Sequence, residues 1–231
     1  MRWGVALFVC STILACTPAA LAQEPSLLEQ FTVTDTSRLR ALATLGRITK
    51  SSLLVEAGDM RFLEESVTLS EHQKSFDELV RAILPGNENY VVRRRGTLKI
   101  IHPVAPRKPL NRILTLQLGS FSFKSKTVST LSPNLAFRIR EVTGCNPQGF
   151  AYAGPPMDTG IPDFDLPSAT FEEIIEQTAK APTPTMWIVL PDSGERGCIS
   201  DPGSLWQVGI YNDNAQFPFA FREASGPTLV R

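Results

Sequence analysis

The chain has 231 residues, with 23 basic and 23 acidic side chains, and 42% of it is hydrophobic. A balanced charge excludes a bulk polyelectrolyte partner, so nucleic acid is not expected, and the apolar content suffices for one or two cores. With 18 prolines and 15 glycines the chain must turn often. Two histidines, His72 and His102, leave little for histidine catalysis or metal binding.

Arg2 is the one charge ahead of an apolar and small-residue run from Val5 to Cys16. That run is shorter than the ~20 apolar residues a spanning helix needs. A charged start, a short apolar middle and an Ala20-x-Ala22 end make residues 1–22 a secretory signal. The mature chain is therefore expected in the periplasm or outside the cell. Two processing routes are open. Cleavage after Ala22 releases a soluble protein beginning at Gln23, the route the Ala-x-Ala end favours. Ile13-Leu14-Ala15-Cys16 also resembles a bacterial lipobox, with Leu14 where a smaller residue is usual. Lipidation of Cys16 would give an envelope lipoprotein and the only expected membrane contact.

From Phe31 to Pro103 the pattern is that of a compact α+β unit. Phe31 and Val33 alternate with polar residues as a strand does, and Leu39, Leu42, Ala43, Leu45 and Ile48 line one side of a helix over about Ser37–Thr49. Leu53–Val55 is a short strand, and Gly58-Asp59 turns the chain. Val67 and Leu69 alternate within another strand. Phe76, Leu79, Val80, Ile83 and Leu84 then fall on a single helical face. Ser75 and Glu78 are spaced as a capping box, and Pro85-Gly86 ends the helix. Tyr90–Arg93 and Leu98–Ile101 form a hairpin turning near Arg95-Gly96. The order is β-α-β-β-α-β-β.

The second half repeats that order. Leu114, Leu116, Leu118, Phe121 and Phe123 are strand-like, and a helix spans about Thr127–Val142, with Pro133 expected near its start or breaking it. Phe150–Ala153 before Gly154 echoes Leu54–Ala57 before Gly58. Phe164 and Leu166 echo Val67 and Leu69. Thr170-Phe171-Glu172-Glu173 copies Ser75-Phe76-Asp77-Glu78, 95 residues on, and Phe171, Ile174, Ile175, Thr178 and Ala179 reproduce the same face. Trp187–Leu190 and the run Trp206, Val208, Ile210 close the unit.

The expectation is an α+β chain of two small tandem modules, each with two helices on a small mixed sheet. Module 1 covers residues 26–103, a proline-rich linker 104–112, a divergent module 2 113–213 and a C-terminal tail 214–231. Module 2 carries a long Gly/Pro-rich insertion at Gly144–Ile161 and a longer hairpin tip at Pro191–Ser204. Cys145 lies in the first and Cys198 in the second. An even pair in an exported chain reads as a disulfide, and closing a loop of about 50 residues contributes about 4 kcal/mol in the chain-entropy model.

Catalytic chemistry finds no foothold. Asp158, Asp163, Asp165, Glu172 and Glu173 form an acidic cluster, but their spacing fits the outer side of a strand and a first helical turn, where the helix dipole favours carboxylates. Gly-x-Ser-x-Gly and Gly-x-x-x-x-Gly-Lys signatures are both lacking. No catalytic residue, cofactor or metal is expected. Arg93, Arg94, Arg95 and Lys99 make the only basic cluster, suited to an acidic partner or to guarding a sheet edge. In the tail, Phe217, Phe219 and Phe221 alternate with Pro218 and Ala220, so three aromatics can dock on their own module or add as an edge strand to a partner.

Taken together, Phe31-x-Val33, the Leu39/Leu42/Leu45 helix, Leu53-Leu54-Val55, Val67-x-Leu69, Phe76-x-x-Leu79-Val80, Tyr90-Val91-Val92 and Leu98-Lys99-Ile100-Ile101 resemble the short N-terminal (STN) domain of secretins and TonB-dependent transducers. Phe164-x-Leu166, Phe171-x-x-Ile174-Ile175, Trp187-Ile188-Val189 and Trp206-Gln207-Val208 resemble it more loosely. The resemblance implies a periplasmic, non-enzymatic interaction module. With no barrel or pore sequence before Arg231, the expectation is a free-standing envelope adaptor whose partner is an envelope protein. Arg93, Arg94, Arg95, Phe217, Phe219 and Phe221 are its candidate contacts. The alternative is a periplasmic binder of small molecules or glycans using Tyr152, Trp187 and Trp206.

If Cys145 and Cys198 are bridged, the mature protein in denaturant without reductant will not react with a thiol reagent. Two reactive thiols would end that reading.

Overall fold

A computed structural model describes residues 27–57, 60–86, 89–106, 113–124, 127–144, 160–191 and 206–211. Residues 1–26 with Cys16, then Cys145 and Cys198, Tyr152, Asp158, Gly58-Asp59, Phe150–Ala153, Gly154 and the tail with Phe217, Phe219 and Phe221 lie outside these residues.

Among the described residues, five helices and nine strands make an α+β protein. Strand β1 (Leu28–Ser37) leads into helix α1 (Arg38–Ile48), then β2 (Ser52–Glu56), α2 (Met60–Glu64), β3 (Ser66–Lys74), α3 (Phe76–Ile83), β4 (Tyr90–Arg95) and β5 (Leu98–Pro103). The second half supplies β6 (Gln117–Phe123), α4 (Val128–Thr143), β7 (Phe164–Thr170), α5 (Phe171–Thr178), β8 (Met186–Pro191) and β9 (Trp206–Tyr211).

Local signals place the helices. Ser37 accepts a hydrogen bond from the Arg40 backbone N–H and starts α1. Its buried side is Leu39, Ala41, Leu42, Leu45 and Gly46, while Ile48 is exposed. Both capping boxes form: Ser75 with Glu78 at α3, and Thr170 with Glu173 at α5. Helix α4 runs through Pro133, which sits in its second turn on the solvent side. The ring costs one ladder donor there but does not end the helix. Ile113 and Leu114 form a helical turn rather than the start of a strand. Both are buried, and consecutive inward side chains do not fit strand alternation.

Each half makes its own two-stranded antiparallel ribbon, β1 with β3 and β6 with β7. The remaining strands form one five-stranded sheet in the order β4-β5-β2-β8-β9, to which both halves contribute. Strand β2 is its centre. It runs parallel to β5 on one side and to β8 on the other, and all five of its residues are buried. The two hairpins dock on it in opposite order: β5 is the second strand of its hairpin and β8 the first of its own.

Alternation along this sheet sorts the interior into two cores. Leu53, Val55, Ile101, Met186 and Ile188 face α1, α3 and the β1–β3 ribbon, joining Phe31, Leu42, Phe76, Leu79 and Ile83. Leu54, Leu98, Ile100, Trp187 and Val189 face the other way, joining Leu118, Phe121, Leu135, Phe164, Phe171 and Ile175. Phe76 and Phe171 thus hold equivalent places, each the first residue of a capped helix on its own face. Phe171 meets Trp187 edge-on, with ring centroids 6.4 Å apart. Close packing reaches the backbone at Gly46, where an added Cβ would lie 2.9 Å from the Ser51 carbonyl oxygen and 3.2 Å from Leu53.

Leu54 belongs by sequence to the first half but packs in the core of the second. Leu54→Ala is expected to cost about 2–5 kcal/mol and, in a Trp206→Phe background, to perturb Trp187 fluorescence in the native state. Loss of stability with no change at Trp187 would contradict the shared sheet.

Candidate functional site

The three arginines of the basic cluster sit on β4, one of the two outer strands of the sheet among the described residues. Residues of a strand point alternately to its two faces. Arg93 and Arg95 therefore leave on the side of α5, and Arg94 on the side of α3.

On the α5 side the pairing is dense. Arg93 donates to Glu172 at 2.6 Å, Arg95 reaches Glu172 at 3.0 Å and Glu176 at 2.8 Å, and Glu173 lies 3.9 Å away. The turn that follows is anchored as well, with the Thr97 hydroxyl donating to the carbonyl of Ala179 at the end of α5. Gly96 takes a left-handed φ of 55° there, and a Cβ on it would meet Glu176 at 3.0 Å. The positive φ is what favours glycine, since the Glu176 carboxylate is the movable end of a side chain. The Arg95 guanidinium loses some hydration, but Glu176, Glu172 and Glu173 more than compensate, and its pKa rises.

On the α3 side the pairing is sparse. Arg94 lies 3.8 Å from Asp77, and its side chain is 55% exposed. Directly opposite Arg94 on β5 is Lys99. Its ammonium sits 3.4 Å from the centroid of the Phe76 ring. Burial pushes the Lys99 pKa down to about 8, the Arg94 charge pushes the same way, and Asp77 opposes both. The Phe76 ring beneath it favours the ammonium.

Asp77 and Glu172 are equivalent residues, each second in its capped helix. The first turns of two matching helices thus reach β4 from opposite faces, closely paired on the α5 side and loosely on the α3 side. Exposed pairs of this kind contribute at most about 1 kcal/mol each. Glu172 is the exception: its side chain is 9% exposed and holds two guanidinium groups.

The α5-side pairs hold Arg93 and Arg95, and among the described residues no strand pairs with the outer backbone of β4. Gly96-Thr97 is a two-residue turn, which makes Arg95 and Leu98 a hydrogen-bonded pair. Antiparallel alternation then aims the amides of Val91, Arg93 and Arg95 at β5, and those of Val92 and Arg94 away from the sheet.

The other candidate residues are placed as follows. His72 is exposed on β3, and His102 is half-buried with Nδ1 2.6 Å from the Pro103 carbonyl oxygen. Asp163 and Asp165 are exposed. No group of three or more His, Cys, Asp or Glu able to hold a metal occurs among the described residues, nor does a helix long and apolar enough to cross a membrane. Trp187 is fully buried and its Nε1–H donates to the Thr178 hydroxyl, so it offers no platform to a sugar. The role of Glu172 escapes a reading of composition. Its one sequence signal is the register that aligns it with Asp77.

Compared with known proteins, the chain matches no family model, no curated protein and no solved structure.

Both capping carboxylates, Glu78 and Glu173, are held below their ordinary value of 4.5, chiefly by the backbone N–H groups of Ser75 and Thr170. A carboxylate whose pKa folding depresses stabilises above its ordinary value, and that contribution is lost as pH falls through the depressed one. Melting temperature should therefore decline below about pH 4.5. The Glu78→Gln, Glu173→Gln double variant should start lower at neutral pH and decline less steeply. An acid limb identical to that of the parent protein would refute the assignment.

Proposed function

We propose that this chain is an exported, non-enzymatic interaction module of STN-like character, acting in the periplasm or outside the cell, that binds an envelope protein by strand addition at β4. The observation that carries this reading is the condition of β4 itself. It is an outer strand of the sheet among the described residues, Arg93 and Arg95 are held by α5, and two of its amides are aimed outward. A strand already fixed in extended form loses little conformational freedom when another pairs with it, and backbone pairing then supplies affinity. Natural sheets blunt such edges with charge or proline. Here the charge is present, but most of it is drawn to the faces by Glu172, Glu176 and Asp77.

Turnover plays no part in this mechanism. The side chains gathered at β4 are cations paired to carboxylates, and their arrangement orients a strand instead of activating a nucleophile.

Val92→Pro tests the reading. The Val92 amide faces away from β5, so proline there removes a donor from the open edge and spares the ladder within the sheet. The variant should keep a cooperative melt within a few degrees of the parent and lose partner capture from envelope extracts. Capture undiminished by Val92→Pro would defeat strand addition at β4.

A further inference from the structure

We infer that the strand added at β4 is an acidic extended segment of a partner protein, with one of its carboxylates seated at the Arg94–Lys99 pair. This rests on the strand-addition reading above.

Arg94 and Lys99 are direct cross-strand neighbours on the same face of the hairpin. Like charges so placed repel. The carboxylate that faces both is Asp77 on α3, and its 3.8 Å separation from Arg94 is longer than a hydrogen bond. Lys99 rests on the Phe76 ring, which attracts the ammonium but accepts no N–H–O bond. Among the described residues two cations therefore share one loosely placed anion, whereas Arg93 and Arg95 on the opposite face have three glutamates between them. Burial is the main reason the Lys99 pKa is lowered, and the Arg94 charge adds to it.

The sparse pairing lies beside the open edge. The Arg94 amide points outward, so a strand pairing with β4 runs alongside the Arg94 side chain. Adjacent strands lie about 4.8 Å apart, which puts an incoming strand about 10 Å from β5. That is within the joint reach of a glutamate on it and Lys99. Side chains alternate, so the fitting pattern is a carboxylate toward α3 and an uncharged residue toward α5, where the arginines are already paired. A second copy of this chain fits poorly, since antiparallel pairing of β4 with itself brings arginine-bearing strands together.

Direct binding separates the cases. The full mature chain is titrated into two labelled peptides, one of alternating valine and glutamate and one of alternating valine and lysine, with fluorescence anisotropy as the readout. The glutamate peptide should bind, weaken as salt is raised, and weaken as pH rises through about 8, when Lys99 loses its proton. The charged groups facing Lys99 are Arg94 from β4 and Asp77 from α3. Arg94→Gln and Lys99→Gln should each weaken binding about tenfold, with melting temperatures showing that both variants fold. Equal binding of the lysine peptide, or tight binding retained in Arg94→Gln, overturns the acidic occupant. So does failure of both peptides to bind while Val92→Pro still abolishes envelope-protein capture, and in that event strand addition stands. Capture that survives Val92→Pro removes strand addition itself.

Discussion

Parallel pairing of β8 along β2 joins residues more than 100 positions apart and decides the rest of the architecture. The Leu53 N–H donates to the Thr185 carbonyl, the Ala57 N–H to the Val189 carbonyl, and the Thr185 N–H to the Ser52 hydroxyl across 133 residues. A strand paired on both sides within a sheet covered on both faces must be buried throughout, and β2 is. Its short apolar run Leu53-Leu54-Val55 serves two cores at once, sending alternate side chains to each. Long-range parallel pairing forms slowly because the loop must close before contacts reward it. The local ribbons and capped helices can precede it, and the shared sheet then locks them together.

The open edge follows from that arrangement. With β2 at the centre, each hairpin is pushed outward and one of its strands ends at the margin. Strand β4 is the margin whose side chains are described, and two helices from different halves reach it. The pairs Arg93–Glu172 and Arg95–Glu176 span 79 and 81 residues. They tie the first-half hairpin to the second-half helix as firmly as the hydrophobic core beneath does in direction, if not in energy.

Parts of this site are legible in the sequence and parts are not. Three arginines in a row are visible, and so is the strand that carries them. Their division between two faces follows from strand alternation alone. What they meet does not, because Glu172 and Asp77 become neighbours of β4 only when α5 and α3 settle on opposite sides of one sheet. The sequence reading places Glu172 on a first helical turn favoured by the dipole, which is correct for position and silent about burial. Lys99 is similar. Its place on β5 is evident, whereas the Phe76 ring beneath it comes from the packing of α3.

By itself the sequence determined the local structure. Capping boxes at Ser75 and Thr170, helical faces at Phe76–Ile83 and Phe171–Thr178, and the two-residue turn at Gly96-Thr97 depend on neighbours a few positions away, so their signals sit within a few residues. Only the tertiary structure decided that the two halves share a sheet about β2. Leu53-Leu54-Val55 has the same apolar pattern whether one β-hairpin or two lie against it, and the count is fixed by which distant strand fits the free side. The choice belongs to shape and burial across the whole chain, where sequence spacing carries no record of it.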